Sequence, residues 1–418
     1  VITSQAGQQP ADFTDVRATN LAVVLRYIRA NAPCSRATIA ASTGLNKATV
    51  SSLVAELIDR RLLRETGLTE NRIGRPATML VLDGAAYAAI GLEINTDHLT
   101  VVAIDLAGER LLSWRRAFTG RHSPAKAVTA AAALARRAVS KVLAEGREVL
   151  GLTVGVAGLV GEGGVVRLAP NLGWRDVALR DALVQALDGP DYPVEVENDA
   201  NLAVRAEHRY GPYAGVPNLI YIDGQAGVGA GIIADGRPLR GGLGYSGEIG
   251  HVRVDPAGPV CGCGRRGCLE AVAGIRALVA RLGSNPAIPP GEPVDLEPEV
   301  DDIVRRARNH EPVVVAALRE AGEHLGHAVS LLSNVVNPQV VLLGGYFVPL
   351  APWLVPAAEA QLRAGTVAPD AGGCRLTPSA LGQVAAAIGG AASILDGVDA
   401  GTLPVPQKLR PRTSITTS

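Results

Sequence analysis

Three of the chain's five cysteines stand close together in the stretch GEIGHVRVDPAGPVCGCGRRGCLE, from Gly247 to Glu270. His251, Cys261, Cys263 and Cys268 offer one nitrogen and three sulfurs, the donor set of a tetrahedral zinc. Four protein donors fill such an ion's shell and leave no position for an activated water. The zinc expected here is therefore structural. The alternative is three reduced thiols packed in a glycine-rich turn, and the clustering favours the metal. Cys34 and Cys374 stand alone and read as small apolar residues.

Other positions carry chemistry less specifically. Asn198 and Asp199 lie in VENDAN, where a strand opens a helix. Polar groups at such strand ends often face the cleft of an α/β protein, but an Asp there can equally be a helix cap. The run GQAGVGAG, with Gly227, Gly229 and Gly231, offers bare backbone amides to a phosphate or simply makes a hairpin turn. Gly344 and Gly345, ending the apolar run VVLLGG, are open to the same two readings.

Near the N-terminus the spacing suggests DNA. Leu21, Val24, Leu25 and Ile28 share a helical face. Ser35 is placed to cap a short helix ending at Gly44, and Asn46 to cap the next one. On that second helix Val50, Leu53, Val54 and Leu57 form an apolar face. Ala48, Ser51 and Ser52 lie opposite, with Lys47 and Thr49 beside them. This small, polar face can approach a groove closely. The segment from Leu62 to Asp83 then reads as strand, loop, strand. A helix, a short turn, a capped helix and a two-stranded wing make a winged helix-turn-helix. In the wing, Arg72 and Arg75 flank Gly74 and suit a narrow minor groove, while Arg36 and Lys47 suit phosphates. A small helical protein-interaction domain is the alternative.

These residues need a scaffold to hold them. The chain has 418 residues, 47% of them apolar and 19% charged, with a net charge of zero. That length calls for two or three domains, and the balance of charge excludes a chain-wide basic field. No apolar run approaches the ~20 residues of a membrane span. No signal-peptide pattern opens the chain, so a cytoplasmic protein without membrane contact is expected. After Ala85 the pattern of three strands, helix, strand, helix occurs twice in outline. This predicts an α/β fold of two lobes around a cleft. The expected division is a flexible N-terminus at 1–18, the winged domain at 19–83, a first lobe at 84–200 plus 384–398, a second lobe carrying the zinc motif at 201–383, and a tail at 399–418.

Taken together, the chain from about Asn20 to Leu395 resembles the DNA-binding regulators of the ROK family (repressors, open reading frames and sugar kinases). The most specific part is Glu-x-Gly-His, a spacer, then Cys-x-Cys-Gly-x-x-Gly-Cys-x-Glu. Here it is Glu248, Gly250, His251, Cys261, Cys263, Gly264, Gly267, Cys268 and Glu270. The resemblance implies an actin-like, two-lobed sugar-kinase fold. It implies sugar contacts from Asn198, Asp199, Glu248, His251 and Glu270, and makes Asp199 the counterpart of the catalytic base. His251 would then serve both zinc and sugar.

Two departures matter. The family's kinases carry an Asp-x-Gly-x-Thr-Lys-like phosphate segment, where this chain has EINTDH, Glu93 to His98. The Thr-Gly of their second phosphate loop is Ala226-Gly227 here. ATP is therefore not expected as a cofactor, and Asp199 would be vestigial as a base. The resemblance implies a sugar-responsive repressor of carbohydrate genes, a homodimer or dimer of dimers on a palindromic operator. The alternatives are an ATP-dependent, glucokinase-like sugar kinase with a fused DNA-binding domain, and a regulator answering to a partner protein.

Overall fold

The computed structural model describes residues 13–68, 78–118, 120, 122–283, 296–367, 369 and 373–403. Its first unit holds α1 (Phe13–Asn31), α2 (Arg36–Thr43) and α3 (Lys47–Asp59). They pack on a small antiparallel sheet of β1 (Cys34–Ser35), β2 (Leu63–Leu68) and β3 (Thr78–Leu82), in the order β1-β3-β2. Both expected caps form. The Ser35 side chain accepts from Thr38 N, α2 ends in left-handed Gly44, and Asn46 Oδ1 accepts from Thr49 N at 2.8 Å. Every apolar residue assigned to an inner face of α1 and α3 is buried. The helix α1 begins at Phe13, ahead of its apolar stripe. An ion pair from Arg17 to Glu56 ties that first part to α3. The expected two strands of the wing, β2 and β3, pair antiparallel, and Cys34 and Ser35 add a short third strand beside Leu80 and Met79.

The first lobe contains β4 (Tyr87–Ile94), β5 (His98–Asp105), β6 (Arg110–Ala117), α4 (Pro124–Ala144) and β7 (Glu148–Val156). A small antiparallel sheet of β8 (Leu159–Val160), β9 (Val165–Ala169) and β10 (Trp174–Ala178) follows, then α5 (Leu179–Ala186) and β11 (Val194–Asn198). Next, α6 (Asp199–Tyr210) leads to the second lobe. It has β12 (Leu219–Gly224), β13 (Val228–Ala234), β14 (Arg237–Pro238), α7 (Leu269–Ala273), α8 (Ile275–Leu282), α9 (Leu296–Arg308) and α10 (Pro312–Val336). The chain closes with β15 (Val340–Gly345), α11 (Phe347–Gly365), β16 (Arg375–Pro378) and α12 (Ala385–Ala400). Of the proline-rich stretch 284–298, residues 284–295 lie outside the described residues, and the remainder already belongs to α9.

The outline repeat in the sequence is a repeat of topology. The first five-stranded sheet runs β11-β7-β4-β5-β6 and the second β14-β13-β12-β15-β16. In each, the lobe's first three strands pair antiparallel in succession, and its fourth and fifth join parallel on the other side of the first. Every residue of β4 and β5 is buried, with no alternation. The reason is cover on both faces, by α4 on one side and α12 on the other. The helix α6 runs between the two sheets. A side chain at Gly231 of β13 would collide with the carbonyl oxygen of Ala200 on α6, so glycine sets that approach.

Candidate functional site

The parallel strands of both sheets end at an interlobe cleft of about 600 Å³, open solvent included. Its lining comes from loops after β4, β7, β9, β11 and β12 and from the cysteine-rich segment. Asn198, Asp199, Glu248, His251 and Glu270, scattered over seventy-odd positions of sequence, all line it.

The histidine and cysteines fold into one cluster. His251 ends a short 3₁₀ turn, Cys261 and Gly264 close a tight turn, and Cys268 immediately precedes α7. One ligand atom from each of His251, Cys261, Cys263 and Cys268 lies within 4.8 Å of every other. The Cys263 and Cys268 sulfurs are 3.7 Å apart, as are Cys261 Sγ and His251 Nδ1. A Zn–S bond of about 2.3 Å gives a tetrahedral edge of about 3.8 Å, so these donors fit that ion. Nδ1 of His251 faces Cys261, while Nε2 points the other way and lies 3.9 Å from Glu248 Oε2. The same ring can thus serve a metal on one side and the cleft on the other.

The clasp also holds Glu270. Its Oε2 accepts from Val228 N at 3.0 Å, and Cys261 Sγ lies 3.8 Å from Oε1. A side chain at Gly227 would collide with that carboxylate. The glycine run therefore forms the β12–β13 hairpin turn, and one of its amides is already taken by a carboxylate rather than left for phosphate. Gly229 and Gly231 lie within β13, while Gly344 and Gly345 end β15 against Tyr221 and Gly224.

The helix cap at α6 is Asn198, not Asp199. Asn198 Oδ1 accepts from Asn201 N at 3.0 Å, and its Nδ2 donates to Gly158 O at 3.1 Å. Asp199 is the first helical residue and turns into the cleft. Burial, then the nearby carboxylates Glu93 and Glu248, push its pKa from 3.8 to about 7. Burial followed by Asp199 and Glu93 raises Asp223 well above the usual carboxylate range, and burial raises Glu93 as well.

Sequence reasoning missed Asp223, Gln225, Asn95, Thr96 and Asn171 as lining residues. A carboxylate ending the apolar run NLIYID was the available signal for Asp223. The segment EINTDH is almost wholly buried. Its Asp97 accepts from Tyr346 Oη at 3.0 Å and from Leu296 N at 3.4 Å, and meets His98 Nδ1 at 2.5 Å. Burial opposes the charge on Asp97, but the bonds from His98 and Tyr346 outweigh it and hold its pKa below the ordinary value. Arg115 donates to Tyr346 Oη and pairs with Glu297. The segment that departs from the kinases' phosphate pattern thus takes part in a polar bridge between the lobes.

At the other end of the molecule, Asn46, Lys47, Ser51 and Ser52 are exposed and Thr49 half-buried on the outer side of α3. Arg36 is ion-paired with Glu65 of β2 at 2.8 Å, on the surface. Arg72, Gly74 and Arg75 lie outside the described residues.

Residues 89–396 match the ROK family model. The chain belongs to the ROK family. Residues 22–70 match the MarR family model, in keeping with the winged-helix fold of that segment. A xylose repressor of Bacillus subtilis is 29% identical over 386 residues, covering 92% of this chain and 97% of that one. A ROK family transcriptional regulator described as a homologue of the E. coli MLC protein superposes with a TM-score of 0.77 at 28% identity, covering 93% of this chain and 98% of the other. A ROK family glucokinase from Streptomyces griseus, solved with glucose and AMPPNP, gives a TM-score of 0.60 at 29% identity over 73% of this chain and 98% of its own. The ROK kinase-like body and the winged helix are thus joined in this chain, as the sequence pattern suggested. Among the described residues, no helix is long and apolar enough to cross a membrane.

Proposed function

We propose that this chain is a cytoplasmic, sugar-responsive transcriptional repressor of carbohydrate genes, acting as a homodimer on a palindromic operator. One observation carries the reading. The cleft keeps a hydroxyl-gripping set around the thiol cluster, while its phosphate side is built from buried acids. Glu248, Glu270 and His251 offer acceptors and a donor, and a carboxylate receiving a sugar O–H makes a charge-assisted bond. Asn198 keeps one amide hydrogen free of its cap and its bond to Gly158. His251, Cys261, Cys263 and Cys268 would hold one zinc, which supplies charge neutralisation and no reactive position. Their part is to fix the 248–270 segment before the sugar arrives, lowering the ordering cost of binding.

The effect on DNA runs through α6. Its first turn carries Asp199 in the cleft, and its last turn pairs through Arg209 with Asp399 of α12, which also holds Arg29 of the winged domain. A ligand that favours one lobe arrangement moves this helix and re-spaces the two recognition helices, Asn46 to Asp59, of the dimer. Differential affinity for the two arrangements is all such a shift requires.

The kinase reading draws support from Asp199, since a pKa near 7 suits a general base, and from the likeness to the glucokinase. Phosphoryl transfer, however, rests on neutralising and positioning the nucleotide phosphates. Glu93, Asp97 and Asp223 oppose that charge. Thermal shifts of the full chain with a panel of hexoses, pentoses and amino sugars, run beside a coupled ATP assay, test the choice. A rise in melting temperature with a sugar and no turnover is expected. Turnover on the order of 1 per second would establish the kinase instead.

A further inference from the structure

The cleft's lining is one-sided in charge. Asp199, Asp223, Glu248 and Glu270 all contribute to it, and among the described residues no lysine or arginine does. Two guanidiniums stand outside the lining: Arg115 pairs with Glu297 and Tyr346, and Arg276 feels the charges of Glu270 and Asp97. Behind the lining, Glu93 is 1% exposed, with Oε1 taken by Asn95 and Oε2 without a partner. At the cleft floor, Asp223 Oδ1 and Gln225 Oε1 are likewise buried acceptors without a donor. Asp223 and Gln225 are 4% and 6% exposed, so water has little access to either.

These acceptors specify what can enter. Each needs an O–H or N–H donor, and an unmet buried acceptor costs more than a bond gains. A neutral polyol brings donors and no charge. A phosphate ester brings acceptors and a charge of about −1.5 to −2 to a lining whose described charged side chains are all carboxylates apart from His251. We propose that the cleft selects the unphosphorylated sugar over its phosphate ester, and that Asp223 sets this selectivity. Asp223 is the last residue but one of β12, paired with Gly344 of β15, and its Oδ1 lies against Gly345. Its Oδ1 is one of the lining's unmet acceptors, which a sugar hydroxyl can satisfy and a dianionic phosphate cannot. The inference rests on the sugar-binding reading above and adds the chemical class of the ligand.

The test is calorimetric titration of the full chain with matched pairs: glucose and glucose 6-phosphate, N-acetylglucosamine and its 6-phosphate, xylose and xylose 5-phosphate. Inorganic phosphate serves as a competitor. For the sugar that binds, the ester should bind at least tenfold more weakly, and phosphate should not compete. Asp223→Asn, nearly isosteric, and Asp223→Ser should both narrow the ratio of sugar to ester affinity. An ester that binds as tightly as its sugar, or a ratio unchanged in both folded variants, overturns the proposal while leaving sugar binding in place. If neither member of any pair binds, the sugar reading itself fails and takes this inference with it. The wild-type ratio decides the matter even if a variant does not fold.

Discussion

Arg29, in the last turn of α1, is ion-paired with Asp399, in the last turn of α12. Asp399 also receives Arg209 Nη2 at 3.3 Å, from the last turn of α6. Arg209 pairs with Asp396 as well, and Arg29 Nη1 donates to Leu106 O at 2.7 Å. The first turn of α6, about 15 Å away along the helix axis, holds Asp199 in the cleft. A single short helix therefore touches the interlobe cleft with one end and the winged domain's anchor with the other.

Arg29→Ala should uncouple the two sites. Asp399 keeps Arg209, so no bare buried charge remains, and the loss of stability should be about 2 kcal/mol. Sugar affinity should stay near wild type, while the sugar-dependent change in operator affinity shrinks. Calorimetry for the sugar and fluorescence anisotropy for the DNA check both halves.

The outer face of α3 should answer to DNA alone. Ser52→Asp places a negative charge on an exposed position of the face proposed to meet the groove. It should abolish operator binding and leave the melting temperature within a degree or two, because surface changes cost little. Asn46→Ala should differ, since it removes the cap bond to Thr49 N and costs about 1 kcal/mol of stability. Denaturant melts beside anisotropy separate the two effects.

Stability should depend on the thiol cluster. Elemental analysis should find one zinc per chain. Cys263→Ser, or a strong chelator, should lower the melting temperature and weaken sugar binding together, because Glu270 and His251 lose their common anchor. Loss of the metal with unchanged sugar affinity would detach the clasp from the cleft.

The carboxylates of the cleft give a signed pH effect. The pKa of Asp199 is raised from 3.8 to about 7 in the folded chain. Its proton therefore binds more tightly in the folded state. The resulting stabilisation is complete below about pH 4 and lost as pH rises toward 7. Glu93, Asp223 and Glu248 are raised too and act in the same direction. Asp199→Asn should flatten the fall in unliganded stability between pH 4 and 7, measured by urea melts at stepped pH.

Much of this was legible from residue types and spacing, and the failures have physical causes. The caps Ser35 and Asn46 and the metal cluster rest on local bonds or short spacings, and sequence shows both. The double lobe was visible as a repeated order of elements. Asn198 and Asp199 could not be told apart, because either residue can cap a helix and only the turn's geometry chooses. That Glu270, some forty positions away, takes the Val228 amide beside Gly227 is a contact between distant segments that no spacing announces. Arg36 reads as a free cation until Glu65 of the wing strand meets it. The Arg29–Asp399 pair joins residues from opposite ends of the described chain, and no local pattern announces it.

The central claim is that sugar in the cleft changes DNA binding through α6 and α12. The direct measurement is operator affinity of the full chain, by anisotropy at fixed salt, with and without the sugar that raises its melting temperature. A change of tenfold or more, about 1.4 kcal/mol, abolished by Glu248→Gln, is the predicted result. A sugar that binds the cleft and leaves operator affinity unmoved would contradict it.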